Sequence, residues 1–130
     1  MRRAASIVLV AASLAVVGGF PAPGRGHAAL VASTPARGAT LPEAPSRVTL
    51  TFSERLEPAY ARLSVEDAKG GRVDLADAAV SRDDPRRLEV SVRPLGPGTY
   101  TVRFRVLSVD GHVVESSFPF TVRGALRSVR

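Results

Sequence analysis

From Val48 to Val122 the dominant hydrophobic period of this chain is two. Val48, Leu50 and Phe52 alternate with Thr49, Thr51 and Ser53, and Leu63 and Val65 with Arg62, Ser64 and Glu66. Leu88, Val90 and Val92 alternate with Arg87, Glu89, Ser91 and Arg93. Tyr100, Val102, Phe104 and Val106 alternate with Thr99, Thr101, Arg103 and Arg105, and Phe118, Phe120 and Val122 with Ser117, Pro119 and Thr121. Successive side chains of a strand point to opposite faces, so each run predicts a strand with one buried and one wet face. Pro119 has no N–H to give, so its strand is expected to be at an edge or irregular there. Between the runs lie turn segments, "STPARGATLPEAPS", "AKGGR", "SRDDPR" and "PLGPG", at the short intervals of an antiparallel sandwich or barrel. No segment has a strong apolar stripe of helical period; "LADAAV", residues 75–80, is expected to make one helical turn and no more. Roughly seven strands in about 100 residues predict an all-β, two-sheet, immunoglobulin-like sandwich.

The first residues do not fit this pattern. Arg2 and Arg3 precede an uncharged apolar run from Ala4 to Phe20, and then comes "PAPGRG". That order is expected of a secretory signal peptide, with a membrane anchor as the competitor; the run is only marginally as long as the ~20 residues a spanning helix needs. Signal peptidase selects small residues one and three positions before the cut. Gly24 and Gly26 satisfy this for cleavage before His27, and Gly26 and Ala28 for cleavage before Ala29. The first product keeps the histidine and the second discards it. Cleavage after Gly26 removes Arg2, Arg3 and Arg25, leaving 18 − 3 = 15 basic and 12 acidic side chains, a net charge of +3. That modest, scattered charge, with no basic block and no aromatic platform, argues against nucleic-acid binding. Cysteine is absent, so no disulfides support the fold and the core must. The polar tail after Val122, "RGALRSVR", is expected to fray.

For chemistry, the chain offers no cysteine, no G-x-S-x-G and no glycine-rich phosphate motif. What remains is its two histidines, His27 and His112, and Asp110. Asp110-Gly111 is a common turn dipeptide, so Asp110-Gly111-His112 reads either as a hairpin turn or as a pair of ligands. In extended chain, side chains two apart share a face, within reach of one ion. If His27 is the first residue, its α-amine and ring Nδ1 can chelate one ion together. Adding a nitrogen from His112 and an oxygen from Asp110 makes a tetragonal set suited to Cu(II), with zinc as the main competitor.

Two longer stretches carry a resemblance. "HAALVASTPARGATLPEAPSRVTLTFSERLEP" resembles the start of the CopC family of periplasmic copper-binding proteins: an N-terminal His, then S-T-P, then a strand ending F-S-E. "PLGPGTYTVRFRVLSVDGHVVESSFPF" resembles that family's C-terminal half, with P-x-x-x-G-T-Y, a long strand and D-G-H. The resemblance covers residues 27 to 122. It implies a seven-stranded Greek-key sandwich (a cupredoxin-like barrel) over residues 27–123, a signal peptide over 1–26 with cleavage before His27, and a short tail over 124–130. It implies that His27, Asp110 and His112 hold one Cu(II) per chain, and that Glu54 matches an acidic position near the site. Where the family often has Pro after D-G-H and a Gly soon afterwards, this chain has Val113 and then Glu115-Ser116. Met1, the sole methionine, leaves with the signal peptide, so no soft ligand for Cu(I) survives and a Cu(II)-only member is expected. The expected role is a monomeric, non-enzymatic, periplasmic or extracellular protein that captures, buffers or hands on copper, beside a CopD-like polytopic membrane copper importer. The alternatives are a histidine-brace copper monooxygenase, for which Trp is missing and tyrosines are few, and a metal-free sandwich module if the mature chain starts at Ala29.

Overall fold

The alternating runs become strands because their apolar faces can be buried only against one another. The computed structural model describes residues 29–124. It holds eight strands: β1 (Leu30–Thr34), β2 (Thr40–Leu41), β3 (Arg47–Phe52), β4 (Arg62–Glu66), β5 (Ala79–Val80), β6 (Arg87–Ser91), β7 (Gly98–Leu107) and β8 (Val113–Val122). One 3-10 turn, Pro58–Tyr60, precedes β4. The strands form two four-stranded sheets, ordered β1-β3-β6-β5 and β2-β8-β7-β4. Five of the seven connections change sheets; only β5–β6 and β7–β8 join neighbours in one sheet. The all-β sandwich is as the alternation predicts. The strand count is eight rather than seven, and two of the eight, β2 and β5, are only two residues long, too short to leave an alternation in the sequence.

The core lies between the sheets. Val48, Leu50 and Phe52 of β3, Leu88 and Val90 of β6, Val102, Phe104 and Val106 of β7, and Phe118, Phe120 and Val122 of β8 are all buried. Phe52 meets Phe104 edge-on across the sheets at 5.4 Å, and Tyr100 stacks on Phe120 at 5.5 Å. Each such side chain contributes about 1.5–3 kcal/mol by leaving water. Tyr100 keeps its hydroxyl satisfied by donating to the Gly96 carbonyl at 2.6 Å, so its ring is buried at no polar cost.

Pro119 sits where the alternation needs an irregular neighbour. β2 joins β8 only at Thr121 and Val122, and beside Pro119 lies a turn whose Gly38 N–H donates to the Pro119 carbonyl at 2.7 Å. Residues 75–80 are not a helical turn. Leu75 donates its N–H to the Ser91 carbonyl, Ala76 has φ +59°, and Ala79–Val80 is strand β5 against β6. Six residues cannot offset the cost of helix nucleation when the edge of β6 offers ready partners. The start of the tail does not fray: Arg123 donates its N–H to the Leu41 carbonyl at 2.9 Å. The remainder of the tail, residues 1–26, where a signal peptide is expected, and His27 lie outside the described residues.

Candidate metal centre

β7 and β8 are the two longest strands, ten residues each, and their pairing runs unbroken from Gly98–Val122 to Leu107–Val113. The turn that closes them, residues 108–112, therefore stands on the most extensive ladder of the fold. Ser108 donates its N–H to the His112 carbonyl, and Gly111 donates to the Ser108 carbonyl, both at 2.9 Å. Gly111 adopts φ +94°, which only glycine takes without steric cost, so the Asp-Gly-His order is fixed locally by the turn itself.

This turn brings Asp110 and His112 together. Nδ1 of His112 lies 3.1 Å from Oδ1 of Asp110. That oxygen also accepts the Ser108 hydroxyl. The side chains are 34 % and 45 % exposed, open enough for an ion to reach them from solvent. The Asp110 carboxyl is held below the usual carboxylate range, chiefly by the Ser108 hydrogen bond; desolvation opposes this, and the hydrogen bonds from His112 add to it. It is therefore an anion, ready to act as an oxygen donor, across the neutral pH range. Nitrogen and oxygen donors sit about 2.0–2.2 Å from a divalent transition ion, which at a right angle places them roughly 3 Å apart. The observed pair has nearly that spacing, so a small closure would bring both side chains about one ion.

The same end of the sandwich receives the start of the described chain. Ala29 donates its N–H to Ser53 Oγ at 2.9 Å, and its carbonyl accepts the Ser53 N–H at 2.8 Å. Two residues on, the Arg55 carbonyl accepts the Val109 N–H at 3.0 Å, and Leu56 bridges to Ser108. The segment 53–56 thus ties both the N-terminal strand and the Asp110–His112 turn to the end of β3. Glu54 lies in this segment, half-buried, on a cleft of about 610 Å³ shared with Asp83, Asp84 and Arg86. Among the described residues no three His, Cys, Asp or Glu side chains form a group that could hold an ion, so Glu54 does not complete one with Asp110 and His112. His27 lies outside the described residues. A second cleft, about 630 Å³ on the outer face of β4, β7 and β8 among Arg62, Arg103 and Arg105, contains neither Asp110 nor His112. A single ion needs donor atoms rather than volume.

The turn also shows a residue that motif reading passed over. Ser108 is buried, and its hydroxyl contacts both Asp110 and His112. Its signal was in the sequence: the alternation that buries Tyr100, Val102, Phe104 and Val106 puts Ser108 next on the inner face, where a polar residue needs a reason.

A family profile described as the CopC domain matches residues 30–123. The chain belongs to the CopC domain family. It is 34 % identical over 126 residues to copper resistance protein C of Xanthomonas campestris pv. juglandis, covering 92 % of this chain and 94 % of that one. The crystal structure of CopC from Methylosinus trichosporium OB3b superposes with a TM-score of 0.70 at 39 % identity, covering 75 % of this chain and 95 % of that one. PcoC from Escherichia coli, described as a methionine-rich copper resistance protein, superposes with a TM-score of 0.66 at 30 % identity, covering 75 % and 99 %. The two-sheet CopC fold is thus shared by structures of known relatives, as the resemblance implied. Unlike a methionine-rich member, this CopC chain has a single methionine, Met1. Among the described residues no helix is long and apolar enough to cross a membrane.

Proposed function

We propose that this chain is an exported Cu(II)-binding protein that captures, buffers or hands on copper in copper homeostasis. Copper is its cargo, one Cu(II) per chain, and it acts as a carrier rather than an enzyme. The observation that carries this reading is the Asp110–His112 pair, a carboxylate and an imidazole 3.1 Å apart on the β7–β8 hairpin of a CopC domain. The relatives are named for copper resistance, which supports copper as the ion.

Two donors do not hold Cu(II) tightly, and His27 supplies the others. Two residues of chain reach at most about 7 Å, and Ala29 is bonded to the segment that also carries the Asp110 turn. This supports a role for His27 as first mature residue, its α-amine and imidazole joining His112 and Asp110. Glu54 lies in that segment, as an acidic neighbour of the set. The donors are nitrogen and oxygen only, without thiolate or thioether, and such a set suits Cu(II) better than Cu(I). The signal segment supports a periplasmic or extracellular location, and a monomer passing copper to a CopD-like membrane importer fits the reading. Intact mass of the exported protein together with Cu(II) titration followed by electron paramagnetic resonance tests it. The expected result is a chain starting at His27 that binds one equivalent with nitrogen hyperfine coupling. A chain starting at Ala29, or no stoichiometric binding, would refute the proposal.

A further inference from the structure

We infer that Ser108 is a positioning residue for copper capture: its buried hydroxyl holds the Asp110 carboxylate against the His112 imidazole before any ion arrives. This rests on the copper-binding reading above and extends it to a residue outside the ligand set. Ser108 is 1 % exposed and directly follows β7, whose inward residues before it are Tyr100, Val102, Phe104 and Val106. A valine there would continue the core. Instead one hydroxyl meets both members of the pair. It donates its proton to Asp110 Oδ1 and takes the His112 N–H at 3.3 Å, with the His112 carbonyl also 3.3 Å away. A carboxylate only accepts, so the His112 Nδ1 that approaches the same oxygen carries the proton at this contact.

The hydroxyl is itself anchored. Ser108 bridges to Leu56, its N–H is bonded to the His112 carbonyl, and its own carbonyl takes the Gly111 N–H. An aspartate on a half-exposed turn would otherwise sample several rotamers, and ordering it on capture would weaken binding. With Ser108 in place the carboxylate is already on the imidazole side of the turn. Preorganisation of this kind raises affinity without adding a ligand. A purely structural serine would act on the stability of the turn and leave the bound ion's spectrum alone.

The test compares wild type, Ser108→Ala and Ser108→Thr, each beginning at His27, in Cu(II) competition titrations with electron paramagnetic resonance of the loaded forms and thermal melts of the apo forms. Ser108→Ala is expected to lose about tenfold or more in affinity and to shift the copper spectrum, with an apo melting temperature within a few degrees of wild type. Ser108→Thr keeps the hydroxyl and is expected to restore both. In the apo protein, ring nitrogen NMR of His112 is expected to show the Nδ1-protonated form in wild type and a mixture of tautomers in Ser108→Ala. Wild-type affinity and spectrum in Ser108→Ala would overturn the inference while leaving the copper reading intact. A folded Ser108→Thr that fails to restore them would overturn it too, and a wild type that takes up no copper would overturn both.

Discussion

At the scale of single residues, the site is a division of labour within five positions. Gly111 supplies the φ of +94° that turns the chain, and Asp110 and His112 then face one another on the exposed side. Neither side chain is part of the core, so each can be removed without unfolding the domain. His112→Ala is expected to weaken Cu(II) binding at least a hundredfold while the apo melting temperature moves by no more than a few degrees. Asp110→Asn, which loses the charge but keeps an oxygen, should cost less, about tenfold. Competition titration alongside melting curves checks both; a collapsed apo fold in either variant would make this a structural turn. The two residue types and their spacing were legible from the sequence, because D-G-H is short and local. The inward position of Ser108 could be read from the alternation, but its contacts with Asp110 and His112 could not, because they depend on how the turn closes, and Glu54 was ambiguous because a strand-end glutamate is usually just solvated.

Among the elements, the sheets are tied together by a buried carboxylate rather than by a disulfide. The Asp74 side chain is fully buried. It accepts hydrogen bonds from Val65 N–H of β4, Ala76 N–H and the Arg72 guanidinium, while its backbone bridges to Val92 beyond β6. Burial alone would raise its pKa, but the Arg72, Val65 and Ala76 hydrogen bonds outweigh this and the net direction is downward. A carboxylate whose folded pKa is depressed stabilises the fold above its unfolded value, about 3.9, and loses that contribution as pH falls through the folded value. Stability of the wild type is therefore expected to fall below about pH 4, and Asp74→Asn to be less stable at neutral pH with a shallower acid decline. Denaturant midpoints from pH 7 to pH 2 check this; identical pH profiles would show that Asp74 does not carry the dependence. This same network explains why residues 75–80 are not helical. The long strands β3, β4, β6, β7 and β8 were readable because alternation is their physical cause. The two-residue strands β2 and β5 were not, since each is created by the edge it joins.

At the scale of the whole molecule, a cysteine-free domain depends on its core, and one end of that core carries the site. Phe52 is fully buried at the end of β3, next to the segment that binds both Ala29 and Val109. Phe52→Ala is expected to cost about 3–5 kcal/mol, a large share of the 5–15 kcal/mol typical of a domain, as read from chemical denaturation; a loss below about 1 kcal/mol would contradict the packing described. The assembled site should also be redox-selective. With no cysteine and Met1 as the only methionine, reduction leaves Cu(I) with no soft donor. Ascorbate with a Cu(I) chelator is expected to strip the metal completely, and copper retained through reduction would reveal a donor outside the proposed set. In the proposed site His27, as first residue, joins the Asp110–His112 turn about one Cu(II), an arrangement that can be measured. It is tested most directly by competition titration of Cu(II) into two otherwise identical proteins, one beginning at His27 and one with a single alanine before it. One tightly bound equivalent is expected in the first and a loss of at least a hundredfold in affinity in the second, whose α-amine is displaced from the chelate. Equal affinity in the two proteins would contradict it.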